Sequence, residues 1–412
     1  MHVKPSNATS QTMNSTDYTT SGPDSGTTWA TEDERLRSFG QAIDGIRRRT
    51  LAKVGQEDLR YIRGVDRLSR VAELVGRTLI AVSPGPLTFS VGVVSLWVYK
   101  QLQATEIGHA ALHGAYNRID DAGKYHSRQH SWQIPIDEAS WIRGHNGRHH
   151  GLTNVAGHDA DINFGPVRLT EQTPHRFVHY FQLPITLLFV FPSFAAAMNL
   201  HFTGVSDVLA GDKGGREFDF IEDRSPASVR DAFGRALRKF VPYYAKEYLL
   251  WPTLATLAFG WWLGVLVFAK SVLGNLLSEL LRNVYSAATI HCGHVGEETS
   301  SYPAGTVPRS KGERYAMQVE ATNNFEVPWL VSVFCGALDR QIEHHLFPTL
   351  PTNRLREVSR EVRAVCTAHA VAYRSDSWGR TLTRALAQIG RLSRPLAHER
   401  RRADAPLAGA NS

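Results

Sequence analysis

A chain of 412 residues with 42% apolar and 21% charged residues has room for two or three domains, and that composition alone does not choose a class. Its three cysteines, Cys292, Cys335 and Cys366, lie far apart with no Cys-x-x-Cys, which excludes a disulfide scaffold, an all-cysteine zinc ribbon and a chain-borne iron-sulfur cluster and points to a reducing compartment. A formal net charge of +7 suits either nucleic acid or an anionic membrane surface, so the placement of the charge decides between them.

Residues 1–31 are rich in Ser, Thr, Asn and Gly and poor in large apolar side chains, a composition that predicts disorder. No apolar signal segment follows Met1, and the sequons at Asn7 and Asn14 read as chance matches. Residues 78–99 carry no charge but are interrupted by Pro84-Gly85-Pro86, and the apolar run continues past Lys100 towards Ile107. Two arrangements fit: a helical hairpin turning at Pro-Gly-Pro, or one kinked span. Residues 177–206 carry no Asp, Glu, Lys or Arg, yet Pro184 and Pro192 break them and His179 and His201 lie inside. Residues 248–269 form the cleanest span, and residues 271–290 a poorer one containing Glu279 and Arg282.

Between residues 207 and 247 lie Lys213, Arg216, Arg224, Arg230, Arg235, Arg238, Lys239 and Lys246, which the positive-inside rule places in the cytoplasm. The two later spans then form a hairpin, and residues 177–206 lie in the membrane interface. The alternative is that residues 177–206 cross and the basic loop faces outward. The tail, residues 374–412, carries Arg380, Arg384, Arg391, Arg394 and Arg400 to Arg402 without interleaved aromatics. It reads as a solvated tail or membrane-surface helix, with no nucleic-acid partner. A mean hydropathy of -0.25 hides the apolar runs because the polar residues gather at both ends and in one loop.

The chain has 18 histidines, and the informative ones are grouped. His109-Ala-Ala-Leu-His113 places two imidazoles four apart, on one helical face. His145-Asn-Gly-Arg-His149-His150 repeats that spacing and adds a neighbour, His291-Cys-Gly-His294 follows the last apolar run, and Gln341-Ile-Glu-His344-His345 closes the series. One such pair arises by chance, but three boxes beside apolar segments are costly unless a metal satisfies the imidazoles. Eight histidines, His109, His113, His145, His149, His150, His294, His344 and His345, exceed the needs of one zinc and fit two metals with open positions. The zinc-protease motif H-E-x-x-H is absent, which argues against a hydrolase.

The order H-x-x-x-H, H-x-x-x-H-H, Q-x-x-H-H resembles the three histidine boxes of the integral-membrane fatty acid desaturases. The surrounding residues 106–114, 145–154, 292–294 and 341–351 resemble the bacterial acyl-CoA and acyl-lipid branch, with similarity from about residue 70 to residue 373. The resemblance implies an all-α membrane protein of about four spans, with a cytosolic histidine-rich helical cap holding two non-haem irons. It implies a desaturase domain over residues 32–373 and a bacterial-type cytoplasmic membrane with the boxes facing the cytoplasm. The implied reaction uses O2 as co-substrate and puts a cis double bond into a long-chain acyl group carried on CoA or on a lipid.

The sequence departs from the family's pattern in several places. Related desaturases carry an Asn four residues before the histidine that follows the last span; position 290 is Ile here, and His291 is an extra imidazole. His294 is expected to bind metal, and His291 to be a hydrogen-bonded residue facing the bundle. The His-Pro-Gly-Gly signature of a fused cytochrome b5 is absent, so electrons are expected from a separate ferredoxin or reductase. Gln341 is typical of front-end desaturases but also occurs in bacterial enzymes acting near mid-chain, so it does not fix the double bond. Glu106, Asp159 and Asp161 are candidates for accepting the second N–H of the imidazoles, ahead of Glu343; His158 reads as a surface or outer residue. Arg143, Arg148 and Lys124 suit CoA phosphates, acidic patches of a donor, or positive-inside charge alone. The competing functions are a hydroxylase on the same scaffold and, from another class, a histidine-rich membrane metal carrier.

Overall fold

The structure is a computed structural model that describes residues 29–397 and 399, apart from 163, 211–219, 222 and 261–262. Almost all of the stretch expected to be disordered, with Asn7 and Asn14, lies outside these residues, as do Lys213, Arg216 and Arg400 to Arg402.

Helix α1 (Glu32–Leu51) starts at Thr31, whose hydroxyl accepts from the Glu34 N–H. Leu36, Phe39, Ile43 and Ile46 recur at three- and four-residue intervals and face the core, as an amphipathic helix requires. Helices α2 (Gln56–Val82) and α3 (Pro86–Leu102) form the hairpin, which settles the choice left open at Pro-Gly-Pro. Pro86 opens α3, where its missing N–H costs no helical hydrogen bond. The two rods touch through glycines: a Cβ on Gly76 would stand 2.6 Å from the Leu96 nitrogen and 2.9 Å from the Gly92 carbonyl. Helix α3 continues through a π-helical turn, Gln103–His109, into α4 (Ala110–Leu112).

Helix α5 (Glu138–Trp141) is capped by Asp137 and runs into a second π-helical turn, Ile142–His149. Then follow α6 (Gln182–Ile185), α7 (Phe194–Phe202) and α8 (Val205–Ala210). The apolar stretch over Phe177–Val190 and Phe194–Phe202 bends by 111° at its break, so it is not one straight rod. Helix α9 (Pro226–Ala245), a π turn over Lys246–Leu250 and α10 (Trp251–Phe259) run on without interruption and return as α11 (Gly264–His294). The reversal falls between Phe259 and Gly264, not near Lys270 where charge breaks the apolar run. Lys270 sits inside α11, and its amine donates to the Ser83 carbonyl at the end of α2, 3.0 Å away.

The remaining elements are α12 (Lys311–Glu320), β1 (Asn324–Glu326), α13 (Trp329–Cys335), α14 (Gln341–Leu346), α15 (Thr352–Ala368), β2 (Ser375–Ser377) and α16 (Trp378–Arg391). Strands β1 and β2 pair in parallel, Asn324 against Ser375. Residues 378–391, expected as the start of the basic tail, form an amphipathic helix: Ala385 and Ile389 pack with Ala287 and Ala288 of α11. Arg380 and Arg384 on α16 pair with Asp376.

The outer faces of the long helices are apolar. Leu68, Val71 and Leu74 on α2, Val91 and Val94 on α3, and Leu266, Leu273 and Leu276 on α11 are all exposed, an area that a water-facing surface does not carry. Among the described residues one helix, α11, is by itself long and apolar enough to cross a bilayer. The glycine contact makes a test. Gly76→Leu is expected to destabilise the protein by about 2 kcal/mol through overpacking against α3. Gly64→Ala, also in α2 but with nothing near its Cβ, is expected to be neutral or to stabilise by up to about 1 kcal/mol. Unfolding of both variants in the same detergent checks the contrast.

Candidate metal centre

Three turns and one helix end bring the histidines together. In the first, Gly108 carries no Cβ, and the Trp132 ring packs where one would stand. His109 and His113 then face inward with their Nε2 atoms 3.2 Å apart. In the second, the π winding of Ile142–His149 makes residues five apart neighbours. His150 N–H bonds to the His145 carbonyl, and the two Nε2 atoms lie 3.2 Å apart. The third, at α14, follows left-handed residues Gly336 (φ 69°) and Ala337 (φ 58°), which turn the chain sharply after α13. His294 ends α11, and the missing side chain of Gly293 admits Gln341, whose amide nitrogen sits 2.6 Å from His294 Nε2.

Two groups result. Ligand atoms of His109, His113, His145 and His344 lie within 4.8 Å of one another, as do those of His149, His294 and His345. His150 lies between them, its ring 4.6 Å from that of His113 and 4.3 Å from that of His345. Seven of the eight imidazoles are buried, and His294 is partly so. His149 Nε2, His150 Nδ1, His294 Nδ1, His344 Nε2 and His345 Nε2 are buried with no hydrogen-bond partner. Orphaned imidazole nitrogens from three of the four segments, beside the paired rings of the first box, are what two metal ions would satisfy, and an all-imidazole donor set suits iron as well as zinc or copper.

The other nitrogens are held from behind. Asp159 accepts from His149 Nδ1 at 2.9 Å, and Asp161 from His145 Nδ1 at 2.9 Å. Asp159 is itself held by the backbone N–H groups of Asn154 and Asp161. Gln318 Oε1 accepts from His345 Nδ1 at 2.9 Å and from the Thr153 hydroxyl at 2.8 Å. Trp141 stacks on His145 with ring centres 4.4 Å apart. Thr153 follows His149 by one helical turn and Trp141 precedes His145 by one, so spacing alone would have found them. Gln318, alone on α12, carries no such signal.

Glu106 is placed differently from its expected role. Its oxygens accept from Tyr61 (2.5 Å), Thr352 (2.6 Å) and Arg356 (2.9 Å), so it ties the first box to α2 and α15 and faces no imidazole. The π winding of Gln103–His109 turns Glu106 away from the face that carries His109. Glu343 is turned from the histidines too, accepting from Asn324 and Tyr373. His291 bonds through Nδ1 to the Ala287 carbonyl at 2.8 Å and packs beside Phe191. It shares no cluster with the other histidines. His158 joins none either among the described residues. Lys124 pairs with Asp66, and Arg143 donates to the Phe202 carbonyl.

Burial keeps His113, His145, His150, His344 and His345 below the ordinary imidazole range. These rings are therefore neutral, the form that binds metal. His149 differs: burial pulls it down, but Asp159 and then Asp161 outweigh that and lift it to about 9. A cation in place of the Nε2 proton keeps the same attraction to the two carboxylates. An apolar cavity reaches the cluster. His109, His145 and His294 line it together with Trp132, Ile134, Ile136, Phe194, Met198 and Ile290.

Residues 84–377 match the fatty acid desaturase family, and the chain belongs to it. It is therefore an oxygen-dependent oxidoreductase of fatty acyl chains. The chain is 29% identical over 368 residues to an NADPH-dependent stearoyl-CoA 9-desaturase of Mycobacterium tuberculosis, covering 89% of this chain and 80% of that protein. It is 25% identical over 284 residues to an sn-1 linoleoyl-lipid 6-desaturase of Synechocystis sp., covering 65% and 70% respectively. A Delta(8)-fatty-acid desaturase of Euglena gracilis is 28% identical over 256 residues, covering 57% and 51%.

The hydrogen bonds behind the imidazoles make a second test. Asp159→Asn and Gln318→Ala are each expected to weaken metal retention about 10- to 100-fold, measured as metal content after dialysis against a chelator. Glu106→Gln leaves Arg356 buried without its charge partner, so its main effect is expected on thermal unfolding, by about 3 kcal/mol or more.

Proposed function

We propose that this desaturase introduces a cis double bond into a long-chain acyl group, using two non-haem irons held by His109, His113, His145, His149, His150, His294, His344 and His345. The observation that carries the reading is the opening of one apolar cavity onto two clusters of imidazoles, among which five buried nitrogens have no partner. When bound, the irons supply, with dioxygen, an oxidising power that no side chain has. The protein holds the chain and keeps water out. Trp132, Ile134 and Ile136 form one wall of the cavity and Phe194 and Met198 another, so a methylene is held against the histidines in an apolar setting. Asp159, Asp161 and Gln318 fix the rings they bond to, and Gln341 holds its amide beside His294, where its buried oxygen is still without a partner.

The mycobacterial relative, named for stearoyl-CoA, covers more of this chain than the cyanobacterial lipid desaturase does, which favours a CoA thioester as the carrier. The chain has no His-Pro-Gly-Gly motif, in keeping with a separate electron-donor protein. Four long helical runs, residues 56–82, 86–112, 226–259 and 264–294, support about four membrane spans. Arg230, Arg235, Arg238, Lys239 and Lys246 lie towards the histidine end of the second hairpin, which supports a cytoplasmic cap in a bacterial-type membrane. The domain so read runs from residue 32 to residue 373.

Iron-loaded protein with stearoyl-CoA, O2, NADPH and a ferredoxin and its reductase is expected to give a monounsaturated product. A hydroxylated chain as the main product would overturn desaturation in favour of hydroxylation. Alanine at any of the eight histidines should abolish product and lower bound iron, and NADPH without an added donor protein should give far less product. Full iron and activity in two or more of these variants would remove the ligand assignment.

A further inference from the structure

The far end of the cavity beneath the histidines is built differently from the rest of it. His294, Ile290, Ser286, Asn283 and Arg282 all line the cavity and all belong to α11. Their spacing of three or four residues puts them on one face of that helix, so the cavity runs down α11 from the metal centre. Phe194, Ala195 and Met198 of α7 stand on another side of it.

At the bottom the lining turns from apolar to charged. Arg282, 1% exposed, donates to Glu279 at 3.1 Å and to Asn283 Oδ1 at 2.8 Å. Glu279 also accepts from the Tyr248 hydroxyl at 3.0 Å. Asn283 donates to the Pro192 carbonyl at 2.7 Å, and Ser286 to Gln101 Oε1 at 3.3 Å. An ion pair inside an apolar span marks a functional position. Here the polar groups are bonded to one another and to the neighbouring helices, so the layer calls for no ligand oxygen and instead closes the cavity.

That closure orients the acyl chain. A CoA or lipid head group has no room among side chains as buried as Arg282, Asn283 and Ser286, so this end receives the methyl terminus. A second hollow shares Asp161, Phe194, Met198, Ile290 and His294 with the first and continues to Leu169, which is half-buried. It gives the carboxyl side of the chain a way past the histidines. A hydrocarbon pushed into the polar layer breaks hydrogen bonds and replaces none of them, whereas one that stops short leaves apolar wall uncovered.

We propose that the Arg282–Glu279 pair, with Asn283 and Ser286, is the stop for the methyl end of the acyl chain and so sets the chain length the enzyme takes. The proposal rests on the reading of this cavity as the acyl site. Along α11, Ser286 lies about 12 Å and Asn283 about 16 Å below His294. An extended chain gains about 1.2 Å per bond, so about 10 to 14 carbons fit between the histidines and the stop.

The test measures binding apart from turnover. Saturated acyl-CoAs of even length, from dodecanoyl to tetracosanoyl, compete with radiolabelled stearoyl-CoA for the full-length protein in detergent, and products are assayed in parallel. Affinity is expected to rise about fourfold per added methylene up to one optimum and to fall beyond it. Ser286→Leu, which raises the floor by one turn, should move the optimum about two to four carbons shorter. Arg282→Met with Glu279→Gln removes the charges, leaves an acceptor for Tyr248, and should move the optimum longer. Opposite shifts are not an effect of lost folding, and if the double variant does not fold, Ser286→Leu decides. A length optimum in binding that shifts as stated upholds the stop even if no chain is desaturated, a result that would fault the reaction alone. Desaturation without any length optimum, or an unchanged optimum in folded Ser286→Leu protein, would overturn the proposal.

Discussion

The dominant constraint in this molecule is the burial of imidazoles whose nitrogens lie beside one another. A buried polar nitrogen without a partner costs free energy, and His149, His150, His294, His344 and His345 each carry one. Nothing in the protein pays for that arrangement locally; it is held because four separate segments are each fixed elsewhere. Asp159 and Asp161 grip the second box from behind, Gln318 grips the third, and Glu106 clamps the first to Tyr61, Thr352 and Arg356. The framework therefore fixes the rings from behind, and a cation would satisfy the nitrogens it leaves unpaired.

The histidine boxes and their order are legible in the sequence because the ligand residues are chemically unusual and closely spaced. How they divide into two groups is not. The second box suggests that residues 145 and 149 share a face, as in an α-helix, whereas π winding also brings 145 against 150. The same winding in the first box turns Glu106 from the imidazoles towards α15. Local widening of a helix is set by what packs on it, such as Trp132 against Gly108, and no pattern within the box records that. Gln318 is hidden for a similar reason, since its role depends on where α12 docks.

The apolar segments show the same division. Their existence is plain from composition, and the Pro-Gly-Pro turn of the first hairpin from its residues. The end of the second hairpin is misplaced by reading Lys270 as a boundary, because a long amine can stay inside a helix and reach the Ser83 carbonyl. The bend after Val190 falls at Pro192, whose carbonyl accepts from Asn283 on α11. The helix that follows strand β2 looks like a charged tail because its arginines dominate the count, although Ala385 and Ile389 seat it firmly.

Helix α11 has 31 residues, about 46 Å at the usual rise, while the hydrocarbon layer is about 30 Å thick. If its far end lies at one boundary of that layer, its last three turns stand clear of the other, and His294 is the final residue. Seated in that way, the helix acts as a post whose height sets how far the histidine cluster stands above the oily layer. An acyl chain oxidised at that height is lifted out of the membrane. The dry surroundings it meets there are built from Trp132, Ile136, Phe194 and Met198 and not borrowed from lipid.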